Sequence, residues 1–449
     1  MRHDSNPAAH TGMSPIALRQ HAVRILDLVL SKHEPLDHVL QKSDDIRAMS
    51  PSDRALLRMM VATTLRRMGQ IDDLIMRAMD GRPLPKPDRL CHLLRLGVTQ
   101  LFFMNIPDYA AVHLSVDVAV RMGFVRQKGL VNAVLRRLTR EGAAWVSDQD
   151  IAVLNAPSWL LSSLERTYGL EKARGIIRAS LCEAGTDITV KTPRDVNVYT
   201  DTLGAVPLWG STLRMTDPSG SPEGWTDYNK GTWWIQDAAA ALPITLLGHM
   251  MPDLSKWHVM DVCAAPGGKT AQLASIGARV SAVDLNANRM KRLSQNMHRL
   301  GFDSVVTEHV VDVFDLEPPA ELFDLVVLDA PCSATGTMRR HPDLVHHRMP
   351  EDISRLADVQ SRMLDHVIKY VKPNGYVLYM TCSLQPEEGE NHIASFLACH
   401  PDATLVPFAP LDVVGFPDVL NTDGCLRILP THLGDQGGMD GFFAALFRV

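Results

Sequence analysis

Three groups of residues in this sequence have types and spacing that could do chemistry together. The first is a glycine turn: Cys263, Ala264, Ala265, Pro266, Gly267, Gly268 and Lys269. It follows an apolar run ending at Asp261 and opens a helix-forming stretch. Such a turn leaves unpaired backbone N–H groups at a helix start, where they hold polar or anionic ligands. The two glycines let a ligand approach the backbone. The second group is Asp284, Asp312 and Asp329, each at or just after the end of a later apolar run. The third is Cys332 and Cys382, each just beyond such a run.

A phosphate-binding loop needs glycine where this chain has Cys263, and G-x-G-x-x-G is absent. The turn therefore suits a nucleotide-like ligand without fitting either common motif. Asp284 lies about 20 residues beyond it, where a carboxylate accepts bonds from ribose hydroxyls. Asp312 is placed to bond a base or its exocyclic amine. Any one of these aspartates reads equally well as a turn or cap residue; three in register with the turn point to a nucleoside. S-adenosylmethionine suits this better than a dinucleotide, since it has no pyrophosphate to demand a third glycine.

Free cysteines are usually buried and inert. Two at one sheet edge beside a cofactor turn read instead as reactive thiols. No His or Cys stands at ligand spacing from them, so no metal is expected. A thiolate beside a methyl donor solves one specific problem. C5 of a pyrimidine is too weak a nucleophile to take a methyl group directly, and thiolate attack at C6 puts electron density on C5. The residues do not say which cysteine attacks. Lys269 and Asp329 are further candidates to contact the target base. Cys263 is expected to matter through its backbone alone.

The elements that must position these residues follow from periodicity. Strands are expected to end at Asp261, Asp284 and Asp329, and to cover 305–311 and 376–381, with helices between them. Repeated βα units make an open, mostly parallel sheet with helices on both faces, a Rossmann-like α/β domain over 231–449. Its ligands bind beyond the carboxyl ends of the strands. Segments 427–430 and 441–448 read as a closing strand pair. Residues 14–145 show only helical spacing, an all-α bundle. Residues 1–13 read as a disordered tail and 141–150 as a linker. Residues 151–230 read as a small α+β module, turn-rich from 193 onward.

Composition is ordinary for a globular protein, with 46% hydrophobic and 21% charged residues among 449. Nothing reads as a membrane span or a secretory signal. The seven cysteines include no C-x-x-C pair, which disfavours a disulfide framework and makes a reducing cytoplasm the expected home. The net charge of −6 is uneven. Residues 1–145 hold 21 Lys and Arg against 14 Asp and Glu; the remainder holds 24 against 37. A basic front on an acidic chain is what contact with a polyanion would need, although a solvated helical surface gives the same count.

Two resemblances sharpen this reading. Asp53 and Arg54, the segments 65–67, 94–104 and 110–112, and Gly129 through Arg137 resemble the NusB family of RNA-binding helical domains. The turn at 263–269, Asp284, the run Asp329, Ala330, Pro331, Cys332 and Ser333, the run Thr381, Cys382 and Ser383 with Glu387, Glu388, Glu390 and Asn391, and the run from Asp440 to Phe443 resemble the RNA cytosine-5 methyltransferases. Together they are similar to the RsmB (Sun, Fmu) family of bacterial 16S ribosomal RNA methyltransferases. The resemblance implies Cys382 as nucleophile, Cys332 as the thiol that assists product release, and the 263–269 turn with Asp284, Asp312 and Asp329 as the S-adenosylmethionine site. It implies 16S rRNA as the partner of a monomeric cytoplasmic enzyme. Val190, Lys191 and Thr192 depart from an Arg-Val-Asn-like pattern usual there, and a lysine lacks the bidentate fork of arginine. The same chemistry on transfer RNA, or an RNA-binding antitermination-type protein without catalysis, are the competing expectations.

Overall fold

The structure is a computed structural model describing residues 12–218, 220–408 and 417–449. The expected tail lies outside these residues up to position 11. The chain divides into two units: one runs to Ser158 and includes His341–His347, and the other holds Trp159–Arg340 and Arg348–Val449. Among the described residues no helix is long and apolar enough to cross a membrane.

The first unit is helical, as its periodicity predicts. Pro15–Lys32 and Pro51–Arg66 each start with proline in the first turn, behind Ser14 and Ser50, whose side chains accept from the N–H of Ala17 and Asp53. That arrangement satisfies donors the helix cannot use itself. Leu26, Leu57, Leu94 and Leu135, from four helices, are fully buried in one core. The expected linker at 141–150 is corrected: the helix Lys128–Ser147 runs through most of it, since a single Gly142 is tolerated in a helix and packs tightly on Phe102. Segment His341–His347 belongs to this unit. Asp343 accepts from the Leu36 N–H at 3.0 Å, and the Nε2 atoms of His346 and His347 bond to Leu65 and Val29 carbonyls at 3.0 and 2.9 Å.

In the second unit, β1 (Asp187–Val190), β2 (Ala205–Trp209), β3 (Thr212–Met215) and β4 (Trp233–Ile235) form an antiparallel sheet in the order β2-β3-β1-β4. The stretch 193–230 is therefore more regular than its turn-rich sequence suggests, with a helix at Val196–Leu203 as well. Pro207 and a register shift before Trp209 interrupt the alternation that would have revealed β2. Buried Arg214 of β3 forks onto Asp187 of β1 at 2.7 and 2.8 Å and donates to the Gln436 and Gly438 carbonyls. This ties the small sheet to the chain just before the last strand.

The large sheet comprises β5 (His258–Val262), β6 (Arg279–Asp284), β7 (Val306–Val310), β8 (Phe323–Asp329), β9 (Val371–Thr381), β10 (Thr404–Val406), β11 (Leu426–Ile428) and β12 (Phe442–Arg448). Its order is β10-β12-β9-β8-β5-β6-β7, with β11 paired to β12. The five strands β5 to β9 run parallel, and β12 is antiparallel to β9, β10 and β11. The expected helical bundle and mostly parallel α/β sheet are both present. From β5 the chain builds outward through β6 and β7, then returns to the other side of β5 for β8 and β9. The carboxyl end of β5 is thus the topological switch point, where such sheets bind ligands.

Candidate functional site

The site begins with how β5 stops. After Val262 the chain enters the left-handed region at Cys263 (φ 60°), passes a cis Ala265–Pro266 bond, and turns left-handed again at Gly267 (φ 102°) before the helix Gly268–Ile276. A Cβ on Gly267 would stand 3.0 Å from both Leu293 and Met297. Glycine is thus needed there for conformation and for space. The turn lines a cavity of about 350 Å³, with Asp261, Asp329, Trp234 and Arg340 among its other walls.

Two carboxylates converge on this cavity from strand ends. Asp329 of β8 accepts from Lys269 Nζ at 2.8 Å, and Lys269 Nζ also sits 5.1 Å from the Phe442 ring centre. Asp261 of β5 is fully buried. Its Oδ2 accepts from the Thr270 hydroxyl at 2.6 Å, while Oδ1 has no hydrogen-bond partner among the described residues. Burial pushes the Asp261 carboxyl up to about 7. The sequence marked Asp261 only as the end of a strand.

Asp284 and Asp312 are not among the residues that line this cavity, although Asp284 bonds Ala265, which is. Asp284 is buried; it accepts from the Ala265 N–H at 3.2 Å and the Asn286 N–H at 2.9 Å, with Arg289 at 3.4 Å. It is thereby bonded to the glycine turn. Asp312 accepts from the Phe314 N–H at 3.0 Å, capping a short helical turn. Arg340, missed in the sequence, pairs with buried Asp440 at 2.5 Å. Burial and the nearby Asp237 push the Asp440 carboxyl up to about 6.

The two thiols meet. Cys332, three residues past the end of β8, and Cys382, the residue after β9, lie with their sulfurs 3.4 Å apart, both half-buried. Parallel pairing brings the two loops side by side, with Asp329 opposite Met380. The contact with Cys382 and burial together raise the Cys332 thiol well above its ordinary value. Gly336 donates to the Cys382 carbonyl at 2.9 Å and accepts from the Gly441 N–H at 2.8 Å, so β12 is stitched to both cysteine loops. The third thiol near the turn, Cys263, is pushed up to about 12 by burial. It is a poor nucleophile at neutral pH. Among the described residues no group of three or more His, Cys, Asp or Glu side chains could hold a metal ion.

Comparison with known proteins places this arrangement. Residues 250–448 match the family model for the 16S rRNA methyltransferases RsmB/F, and residues 17–140 match the NusB family. The ribosomal RNA small subunit methyltransferase B of Erwinia tasmaniensis is 34% identical over 91% of this chain and 96% of its own length. That of Vibrio cholerae serotype O1 is 35% identical over 88% and 89%. A crystal structure of a methyltransferase homolog protein from Pyrococcus horikoshii is 25% identical, covers 65% of this chain and 99% of its own, and superposes with a TM-score of 0.50. With a glycine turn at the switch point, paired thiols at adjacent strand ends and relatives this similar over nearly its full length, the chain belongs to the ribosomal RNA small subunit methyltransferase B family.

Proposed function

We propose that this enzyme methylates C5 of a cytidine in 16S rRNA through a covalent adduct on Cys382, with S-adenosylmethionine as methyl donor. The observation that carries the proposal is the pair of thiols 3.4 Å apart on neighbouring strand-end loops, one of which also carries Asp329 of the turn cavity. The cavity suits the donor on its own chemistry. Helix-start N–H groups and the unpartnered Asp261 oxygen offer donors and a carboxylate to a ligand that carries hydroxyls, an ammonium and a sulfonium. The sulfonium supplies an electrophilic methyl group; everything else falls to the chain.

The Cys382 thiolate bonds to C6, and the electron pair of the C5–C6 double bond moves to C5. C5 takes the methyl group, and the electron pair of the broken S–CH3 bond would stay on the donor's sulfur, which leaves as a neutral thioether. Loss of the C5 proton to a base restores the double bond and breaks the S–C6 bond, returning the thiolate. The assignment of Cys382 as nucleophile follows the family pattern of Thr381, Cys382 and Ser383, with Cys332 as the second thiol 3.4 Å away. Cys332 touches the sulfur that departs, which suits a part in product release. Lys269 and Asp329, bonded to each other at the cavity wall, are proposed to contact the base, and the helical unit with its basic excess is proposed to hold the RNA. The target base must be unstacked to enter the pocket.

The test is methyl transfer from labelled donor to 16S rRNA and to transfer RNA, followed by bisulfite mapping. Cys382→Ala is expected to lose turnover by roughly a millionfold or to background, as loss of a covalent nucleophile does. Cys332→Ala is expected to accumulate a protein–RNA adduct stable in denaturing gels. Normal turnover in Cys382→Ala would sink the proposal, and label confined to transfer RNA would overturn the substrate.

A further inference from the structure

We infer that Glu388 is a positioning residue that sets the spacing of the two thiols. The inference rests on the reading of Cys332 and Cys382 as the working pair. Each cysteine is followed by a buried serine, Ser333 and Ser383. One carboxylate holds both. Glu388 Oε1 accepts from the Ser333 N–H at 2.8 Å, and Oε2 accepts from the Ser333 hydroxyl and, at 2.5 Å, from the Ser383 hydroxyl. Gln360 Nε2 donates to Oε1 at 3.0 Å and to the Pro331 carbonyl at 2.9 Å, so the residue before Cys332 is fixed by the same group.

Glu388 itself is fully buried. Its own carbonyl accepts from the Tyr379 and Thr381 hydroxyls at 2.9 and 3.0 Å, which anchors it to β9. The two cysteine loops descend from different strands, and their serine hydroxyls lie 3.2 Å apart with each proton given to Glu388. Beside the Gly336 N–H to Cys382 carbonyl bond, the shared carboxylate is what ties together the residues next to the two sulfurs. A buried acid with four donors converging on it and, among the described residues, no ion-pair partner is costly to keep unless its geometry is used. Here that geometry fixes the residue next to each sulfur. The negative charge also adds to what holds Cys332 protonated.

The test separates spacing from charge and from the methylation reading. Phenylarsine oxide bridges two thiols only when they lie close together, and it needs no RNA. Wild-type protein is expected to bind one equivalent across Cys332 and Cys382, mapped by mass spectrometry. Glu388→Asp keeps the charge but withdraws it by one methylene. It is expected to lose roughly a hundredfold in turnover, the scale of an ångström of misplacement, and to lose arsenical capture in parallel. Glu388→Gln keeps Oε1 for the Ser333 N–H, and the serine hydroxyls can turn to accept from its amide. It is expected to keep capture and turnover within about threefold, a difference near the limit of independent-site additivity. S-adenosylmethionine affinity should be unchanged in both. Capture by the wild type that is lost in Glu388→Asp, together with no RNA methylation by the wild type, would leave the positioning role standing and remove the methylation reading. Wild-type capture and turnover in Glu388→Asp, or loss in Glu388→Gln with Glu388→Asp intact, overturns the inference.

Discussion

Asp261 lines the turn cavity with one carboxyl oxygen bonded and the other unpartnered, and burial pushes its carboxyl up to about 7. The folded protein therefore holds a proton that the unfolded chain releases near pH 4, and stability falls as pH rises from about 4 to about 7. Asp261→Asn removes that slope. It should leave stability unchanged below pH 4 and raise it by at most about 4 kcal/mol above pH 7, at 1.36 kcal/mol per pKa unit, in denaturant titrations at the two pH values. The same substitution should weaken S-adenosylmethionine binding roughly tenfold in calorimetry, the worth of one charge-assisted bond. Equal slopes in both proteins would show that the carboxyl is ionised when buried. The sequence identified the strand ends but not the partner each aspartate meets. A run of apolar residues closed by Asp looks the same whether the carboxylate faces a cavity, as Asp329 does, or braces a neighbouring turn, as Asp284 does. That choice depends on which backbone N–H the next strand delivers, and the chain distances involved are too long for a local pattern.

At the scale of elements, the closing strand matters more than a sheet edge usually would. β12 reaches the cysteine loops through Gly336, where a Cβ would stand 2.2 Å from the Gly441 carbonyl oxygen and 2.7 Å from that of Cys382. Gly336→Ala must push the Cys382 loop away from β12. We expect a stability loss of about 1–3 kcal/mol, the range for strain at a close-packed site. We also expect a fall in turnover of roughly a hundredfold. S-adenosylmethionine binding should hold, because the turn at 263–269 is untouched. An alanine variant with unimpaired turnover would mean that the loop position is set elsewhere. The parallel core was legible because β8 is apolar almost throughout, as a strand covered on both faces must be. The small sheet was half legible. β1 alternates cleanly, but β2 carries a proline and β3 buries all four residues, Arg214 included, so neither shows a period of two. β9 also starts earlier than its sequence suggests, because Pro373 and Gly375 read as a turn while the strand runs through them.

At the scale of the whole molecule, the chain leaves the catalytic unit after Arg340, contributes seven residues to the helical unit, and returns at Arg348. Within the helical unit burial depresses His346 to about 4, and His92 likewise to about 4. Both stay neutral when folded and take up protons on unfolding between about pH 4 and 6.5, so stability of this unit rises with pH across that window and is lost as pH falls through it. His346→Gln should flatten the slope by about 1.4 kcal/mol per pH unit, one proton's worth, in amide exchange of the helical unit. An unaltered slope would show that His346 is not the titrating group.

The excursion at 341–347 also has a consequence for synthesis. A ribosome finishes the helices through Ser158 and then must add roughly 190 more residues before Asp343, His346 and His347 emerge to meet Leu36, Leu65 and Val29. At about 5–20 residues per second that is on the order of 10–40 s during which the front unit waits with those positions uncovered. The amino-terminal unit is thus completed only after the loop bearing Cys332 has been made, and the order of translation is not the order in which the two units become whole.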